Sequence, residues 1–424
     1  MSKKTILYII FLIALELYSF KMIKETIYIA ADSLVFLYLF FQLNKKEAKR
    51  KKTVLGAPAP TFVIPKNFDR VLKFFVFGVV LSFIPAMIFH DQPLVYSYGV
   101  SRGFFYVMLY FYFHKKQFRL KMLEDISIYT SVLFQMVYWF ELKFLKNNPI
   151  FGTEWTEAKT TVSRIMIDGR HLFMLSFYIL LVRFTGKTKP IFVALFSISF
   201  LTVILLQTRQ LLLPACLVLV FHFRTRIIKS FIPSMFLIGV LGVGAYFSSD
   251  LIDKLINKSV TQSQSAEVIG DRQQSYIYYL TTPSTNWATR IFGEGFPAPD
   301  TNYGQQFFTW RQNTGMSPGD IGPVGWVFYY GYIWLICLII MVYRGFKIKV
   351  PEKLVYTKYY MFTVLLTLPM GEAQFVQTSS LLALMITFYV IDVGNFELKF
   401  IDYERRELRR QQKAEQDRLM LEEV

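Results

Sequence analysis

Apolar residues run along this chain in long stretches, most of them about 16–23 residues, separated by short polar links. The stretches are Thr5–Phe20, Thr26–Leu43, Val71–Phe89, Val95–Phe113, Leu123–Phe140, Gly169–Val182, Ile191–Leu206, Leu211–Phe223, Phe231–Phe247, Ile321–Tyr343, Tyr356–Met370 and Ser379–Val393. Coiled as α-helix at 1.5 Å per residue, a stretch of this size crosses about 30 Å of hydrocarbon. The pattern predicts an all-α polytopic membrane protein with about 12 transmembrane helices.

The links between these stretches alternate in charge. Lys45, Lys46, Lys49, Arg50, Lys51 and Lys52 follow the second stretch; Lys115, Lys116, Arg119 and Lys121 follow the fourth. Arg183, Lys187 and Lys189 follow the sixth, Arg224, Arg226 and Lys229 the eighth, and Arg344, Lys347, Lys349, Lys353 and Lys358 the tenth. With both termini, Lys66 and Arg70, this side holds 32 of the 47 basic residues against 14 on the other, and Lys73 lies inside a stretch. Basic links are retained in the cytoplasm, so both termini are expected there. The formal charge of +17 is thereby accounted for as an orientation signal, and nucleic-acid binding is not implied. The first stretch follows Lys3 and Lys4 as a signal peptide would, but it runs into Glu16–Leu17–Tyr18–Ser19–Phe20–Lys21 with no small-residue cleavage site and reads as retained. Cys216 and Cys337 sit in separate stretches, without metal-ligand spacing, and read as packing residues.

Three segments depart from the hydrophobic background. Asn44–Arg70 carries the basic cluster and Gly56–Ala57–Pro58–Ala59–Pro60, which predicts an extended connector facing lipid headgroups. Residues 395–424 alternate acids with Arg405, Arg406, Arg409 and Arg410 at helical spacing and form a charged cytoplasmic tail, distinct from the membrane domain of residues 1–394. The third segment, Ser248–Asp320, is a non-cytoplasmic loop of 73 residues between the ninth and tenth stretches. Its Leu251, Ile252, Leu255 and Ile256 and its Asp271–Leu280 stretch have helical spacing, and its aromatic content predicts order.

Arginines on the side poor in basic residues need a reason. Arg209, in Gln207–Thr208–Arg209–Gln210, joins two stretches almost without a loop, and only 15 residues, about 22 Å of helix, separate it from Arg224. It is therefore expected below the membrane surface, where an unpaired cation costs at least about 2.5–3.5 kcal/mol. It either pairs with a carboxylate, faces a polar cavity, or snorkels from a turn. Arg102, Arg164, Arg170, Arg272, Arg290 and Arg311 share that side, with Arg164 and Arg170 flanking Asp168 next to His171. Several guanidinium groups converging on one cavity make a pyrophosphate site, because each holds two oxygens at once; any one taken alone is equally a surface charge. Asp168, His171, Asp271, Glu294, Asp300, Asp320 and Glu372 are candidate proton acceptors. Asp320 is also placed to cap the helix it precedes. His90, His114 and His222 lie at stretch ends and read as interfacial. No nucleotide-binding or metal-binding motif occurs, so a nucleotide-sugar enzyme with a cytoplasmic catalytic domain is not expected.

The tight turn with Thr208–Arg209–Gln210, the large late loop with Asp271–Arg272–Gln273 and Arg290–Ile291–Phe292–Gly293–Glu294–Gly295–Phe296, and Asp320–Ile321–Gly322–Pro323–Val324–Gly325 followed by Tyr329–Tyr330–Gly331 together resemble the O-antigen polymerase and ligase superfamily. The resemblance covers most of the chain in topology and only these short stretches in residues. It implies a GT-C-like membrane fold and a metal-independent, inverting glycosyl transfer on the outer face, with no cofactor. The donor is a polyprenyl-pyrophosphate-linked oligosaccharide, and a flippase and a chain-length regulator are the implied partners. Arg209 and Arg272 match the family's pyrophosphate-binding positions, with Arg290, Arg102, Arg164, Arg170 and His171 as further substrate contacts. Ligases of the family have a histidine where this chain has Asp320, which points to a polymerase of repeat units. A ligase delivering finished glycan, and a lipid-linked oligosaccharide flippase, are the rival readings. The flippase reading calls for polar residues through the membrane midplane and two related halves; no internal repeat is visible.

Overall fold

The computed structural model describes residues 3–45, 53–54, 57–58, 64–144, 149–156, 163–186, 189–206, 209–224, 266–281, 287–370 and 377–422. The expected span Phe231–Phe247, the loop stretch Leu251–Ile256 and Glu372 lie outside the described residues. The helices are α1 (Lys3–Ala14), α2 (Glu25–Asn44), α3 (Asp69–Leu81), α4 (Phe83–His90), α5 (Leu94–Ser101), α6 (Met108–Lys116), α7 (Leu120–Phe144), α8 (Arg170–Gly186), α9 (Pro190–Leu205) and α10 (Arg209–Phe223). After them come α11 (Ala266–Thr281), α12 (Trp287–Phe292), α13 (Asn302–Thr314), α14 (Pro323–Lys347), α15 (Tyr356–Thr367) and α16 (Thr378–Glu422). The described residues are almost entirely helical, as expected of an all-α chain; beside the helices, β1 (Thr53–Val54) pairs with β2 (Ala57–Pro58), and β3 (Thr153–Thr156) with β4 (Ser163–Met166), as two short antiparallel ribbons.

Among the described residues, four helical segments are long and apolar enough to cross a membrane: Glu25–Asn44, Asp69–His90, Pro323–Lys347 and Thr378–Ile401. Pro190–Leu205 and Gln210–Phe223 are apolar but shorter. Two of the expected spans are broken. Thr5–Phe20 ends as α-helix at Ala14, and Glu16–Ser19 forms a left-handed turn with φ of 46–62°. Val95–Phe113 is divided by a 3-10 segment, Arg102–Val107, between α5 and α6. α16 runs unbroken from the bundle through residue 394 into the charged tail.

The faces of these helices are apolar outside as well as inside. On α14, Tyr332, Ile336, Ile339 and Tyr343 recur every three or four residues and are exposed, while Trp326, Tyr330, Trp334, Leu338 and Met341 form the buried stripe opposite. Leu34, Leu37 and Phe41 on α2 and Phe74 and Phe77 on α3 are likewise exposed. A water-soluble protein hides such stripes; hydrocarbon around the bundle removes the need, as in a membrane protein. The centre belongs to α8 and α16, where Leu172–Leu181 and Leu381–Ile391 are buried on every side. Several polar residues pair between helices: Ser131 Oγ donates to Ser176 Oγ at 2.7 Å, Gln135 Nε2 to Ser199 Oγ at 3.2 Å, and Trp139 Nε1 to Thr202 Oγ1 at 3.0 Å.

The basic links gather at one end. Lys115 Nζ donates to the carbonyls of Leu43 and Lys45, Arg183 binds Glu124 and Asp125, His222 bonds to Thr185 and Tyr359, and Arg344 donates to the Asn67 carbonyl. This is termed the basic end. At the opposite, loop end lie α11, α12, α13 and the 3-10 turn Pro318–Ile321, all from the long loop.

What fastens the loop is a break in α14. Gly331 has φ 73° and ψ −179°, so helical bonding fails there and the carbonyls of Phe328 and Tyr329 lose their in-helix donors. The amides of Glu294 and Gly295 replace them, at 2.8 and 3.0 Å. Contact is so close that a Cβ on Gly331 would stand 2.1 Å from the Ile291 carbonyl oxygen, and one on Gly293 2.2 Å from that of Tyr329. Gly331→Ala is therefore expected to cost at least about 3 kcal/mol, through forbidden backbone geometry and collision. Gly99→Ala, where a Cβ meets only Ile29 at 4.0 Å, should be neutral. Thermal unfolding of the two variants in detergent measures the difference; equal midpoints would refute the clamp.

Candidate functional site

The backbone segments that carry three of the sequence-predicted residues lie toward the loop end. α10 begins at Arg209 and runs antiparallel to α15, with register set by His222 Nδ1 against Tyr359 Oη at 2.8 Å and by the Phe221–Phe362 contact. Counting back along α10 from that level, about 20 Å of helix brings Arg209 to the height of the 3-10 turn Leu368–Met370 that ends α15. α11, which carries Arg272, packs on the 3-10 turn Pro318–Ile321, which carries Asp320. One helical turn beyond Arg272, Tyr276 Oη donates to the Pro369 carbonyl at 3.3 Å. Gly322 lies against the Leu368 carbonyl, where a Cβ would come within 2.2 Å. The segments bearing Arg272 and Asp320 thus meet one short turn, Leu368–Met370, two residues before Glu372, and the start of α10 lies at about its height along α15.

α14 starts at Pro323 and its N-cap residue is Gly322. Proline at the first helical position needs no donor partner, and the positive φ of Gly322 turns the chain before it. Asp320 lies in the 3-10 turn that precedes this helix.

Beside these segments α13 presents a face that sequence reasoning missed. Gln305, Thr309 and Asn313 recur every four residues, with Gln306 and Trp310 alongside, and together they line a cavity of about 460 Å³. The Trp310 ring rests on Tyr278 of α11 at 5.0 Å and on Phe307 at 6.0 Å, which sets its orientation. An aromatic face flanked by amides and a hydroxyl suits a sugar: the ring stacks on C–H faces while Gln, Asn and Thr exchange hydrogen bonds with hydroxyls. The signal in the sequence is this four-residue polar spacing around a tryptophan. It reads as an ordinary solvated helix face until the loop helices are packed.

α13 is held by a buried polar scaffold. Thr301 caps it by accepting from the Gly304 amide at 3.1 Å, and Gln92 Oε1 accepts from the Ala298 amide at 2.8 Å. His90, expected at an interface, stacks on Tyr303 with centroids 3.9 Å apart, and its Nε2 lies 2.9 Å from Glu294 Oε2. Burial, with the Glu294 carboxylate adding to it, pushes the Tyr303 phenol far above its ordinary range, so it remains a donor, here to the Gly295 carbonyl. Glu294 is thereby engaged in holding α4 to the loop.

The remaining predicted residues lie elsewhere at this end. Arg102 was expected to face pyrophosphate, but its Nε binds Asp32 at 3.0 Å, its Nη2 Glu16 at 3.2 Å, and its Nη1 lies 3.6 Å from Glu25. Tyr106 Oη donates to the other oxygen of Asp32 at 2.6 Å. Engaged by these partners, Arg102 ties together α2, the 3-10 segment Arg102–Val107 and the left-handed turn. In the same turn Ser19 Oγ donates to Asp168 at 2.5 Å. Arg170 is half-buried and His171 buried at the start of α8, Arg164 lies on β4, and Arg290 and Arg311 are exposed on α12 and α13. His114 is not interfacial either: it is buried against Asp392 at the basic end, Nε2 to Oδ2 3.1 Å. Among the described residues no group of three or more His, Cys, Asp or Glu side chains is arranged to hold a metal ion.

Removing the Arg102 charge strands Asp32, which is 1% exposed. Arg102→Gln should cost about 3–5 kcal/mol, and adding Asp32→Asn should restore much of it. A double-mutant cycle on thermal unfolding in detergent measures this; additive losses would refute the pairing.

No protein-family model matches the chain, and a search of curated proteins returns no match.

Proposed function

We propose that this protein is a glycosyltransferase of the inner bacterial membrane, joining polyprenyl-pyrophosphate-linked oligosaccharide repeat units into a surface polysaccharide. In this reading the bundle is a GT-C-like enzyme of about 12 spans, the loop end faces outward, and both termini are cytoplasmic. The observation that carries the reading is the meeting of the Arg272 and Asp320 segments at Leu368–Met370, beside the tryptophan-and-amide cavity of α13 and about level with the start of α10 at Arg209. Residues suited to phosphate and residues suited to sugar then adjoin at the end where a lipid-linked glycan would present its anomeric carbon.

In the proposed reaction an acceptor hydroxyl attacks the anomeric carbon of the growing chain, the carbon–oxygen bond to pyrophosphate breaks, and configuration inverts. Arg209 and Arg272 receive the charge that develops on the leaving phosphates, each guanidinium able to hold two oxygens. Asp320 takes the hydroxyl proton. The cavity of α13 holds sugars of donor or acceptor.

Supplied with purified lipid-linked repeat units and no other acceptor, the protein is expected to build a ladder of longer lipid-linked products, with chelator present or absent. Arg209→Ala and Arg272→Ala should abolish the ladder at normal protein abundance, and Arg209→Lys should fail nearly as badly because it loses the fork. Asp320→Asn should slow extension by about 10²-fold or more. An unchanged unfolding temperature in that variant would assign the loss to chemistry rather than to helix stability. A single unit added only when a foreign acceptor is supplied would replace the polymerase with a ligase. A change of sidedness without a change of length would replace it with a flippase.

A further inference from the structure

At the basic end, the start of α3 and the last turn of α14 enclose a cavity of about 510 Å³ lined by Lys66, Asn67, Asp69, Arg70, Lys73 and Arg344. Four of these six side chains are cationic and one is acidic. Asp69 is engaged with Lys73 at 3.0 Å. Among the described residues no carboxylate lies within ion-pair distance of Lys66, Arg70 or Arg344. Three uncompensated cations therefore line one hollow, and the N-terminus of α3 adds the positive end of its dipole.

The floor of the hollow is rigid. Arg344 donates through Nη1 to the Asn67 carbonyl, and Asn67 Nδ2 donates to Asp392 at 2.6 Å. Asp392 is fully buried and also accepts from Tyr110 Oη at 2.5 Å, beside His114. The flanks are apolar and turned outward: Phe74 and Phe77 on α3, Tyr343 and Phe346 on α14 are all exposed. Lys73 reaches over Phe111 at 5.7 Å, and Lys347 over Tyr343 at 5.2 Å, so cations stand at the level where exposed aromatic surface begins.

We propose that this hollow binds the phosphate headgroup of an anionic phospholipid from the adjacent leaflet, with its acyl chains lying along Phe74, Phe77 and Tyr343. The guanidinium groups of Arg70 and Arg344 grip phosphate oxygens through paired donors, and Lys66 supplies further charge. A soluble phosphate shares the headgroup chemistry but makes no use of the apolar flanks. Basic pockets between membrane helices recognise lipid headgroups by this combination. The site lies at the opposite end of the bundle from the proposed chemistry and does not depend on it.

The test uses full-length protein purified in a neutral detergent, with phosphatidylglycerol or phosphatidylcholine added and retained lipids counted by native mass spectrometry. Phosphatidylglycerol should be retained in preference, and Lys66→Gln with Arg70→Gln should weaken its binding about 30-fold, each charge near a lipid surface contributing about fivefold. Both residues are exposed and unpaired, so unfolding temperature should not change. The control, Lys121→Gln with Lys189→Gln, removes the same charge from exposed positions at the same end and should leave retention intact. Equal loss in both double variants would reduce the effect to general surface charge and overturn the site. Complete displacement of phosphatidylglycerol by an equal concentration of inorganic phosphate would overturn the lipid assignment in favour of a free anion.

Discussion

A backbone surrounded by hydrocarbon cannot leave carbonyls without donors, and the break at Gly331 makes that requirement specific. A kinked helix in water would hydrate its freed carbonyls. Here Phe328 and Tyr329 receive the amides of Glu294 and Gly295, and the long loop is thereby laid across α14. Everything else at the loop end follows from that docking. α12 and α13 sit where they do because the Phe292–Phe296 strand between them is pinned, and His90 reaches Glu294 because its backbone is fixed two residues from Phe292. A glycine in a span and a glycine-rich stretch in a loop are thus two halves of one joint.

Charge inside the bundle obeys the same economy from the other direction. Arg102 and Asp392 are both deep in the protein, at opposite ends, and neither is alone. Asp32, Glu16 and Tyr106 surround the first; Asn67, Tyr110 and His114 surround the second. Each cluster ties segments far apart in sequence, and in each the hydrogen bonds are complete enough to make a buried charge tolerable.

Much of this was legible in the residues. The length and hydropathy of the runs at 26–43, 71–89, 321–343 and 379–393 correspond to the four segments long enough to span, and the helical spacing at Asp271–Leu280 corresponds to α11. What escaped was set by tertiary contact. Asp32 is a lone acid in an apolar run, and only the approach of Arg102 explains it; that approach also removes Arg102 from the anion site to which its side of the chain assigned it. Trp310 and its amide neighbours look like any polar helix until α11 packs beside them. His114 sits at a stretch end by count, yet the basic end is thick enough there to bury it. The breaks in the runs 5–20 and 95–113 were invisible because hydropathy reports composition, whereas a turn or 3-10 segment is imposed by the partners each residue must reach.

The last helix has a mechanical consequence. At 1.5 Å per residue, Thr378–Glu422 is about 68 Å of continuous α-helix, more than twice the thickness of a hydrocarbon core. Its first third is the central post of the bundle, and its charged end stands clear of the apolar region. Because no hinge interrupts it, and because Gly394 is closely packed against Leu354 and Pro351 where the helix leaves the bundle, a sideways load on the tail cannot be absorbed by local bending. It must become a tilt or twist of the post itself. The tail is a lever arm whose fulcrum lies at residue 394 and whose short arm is the core of the protein.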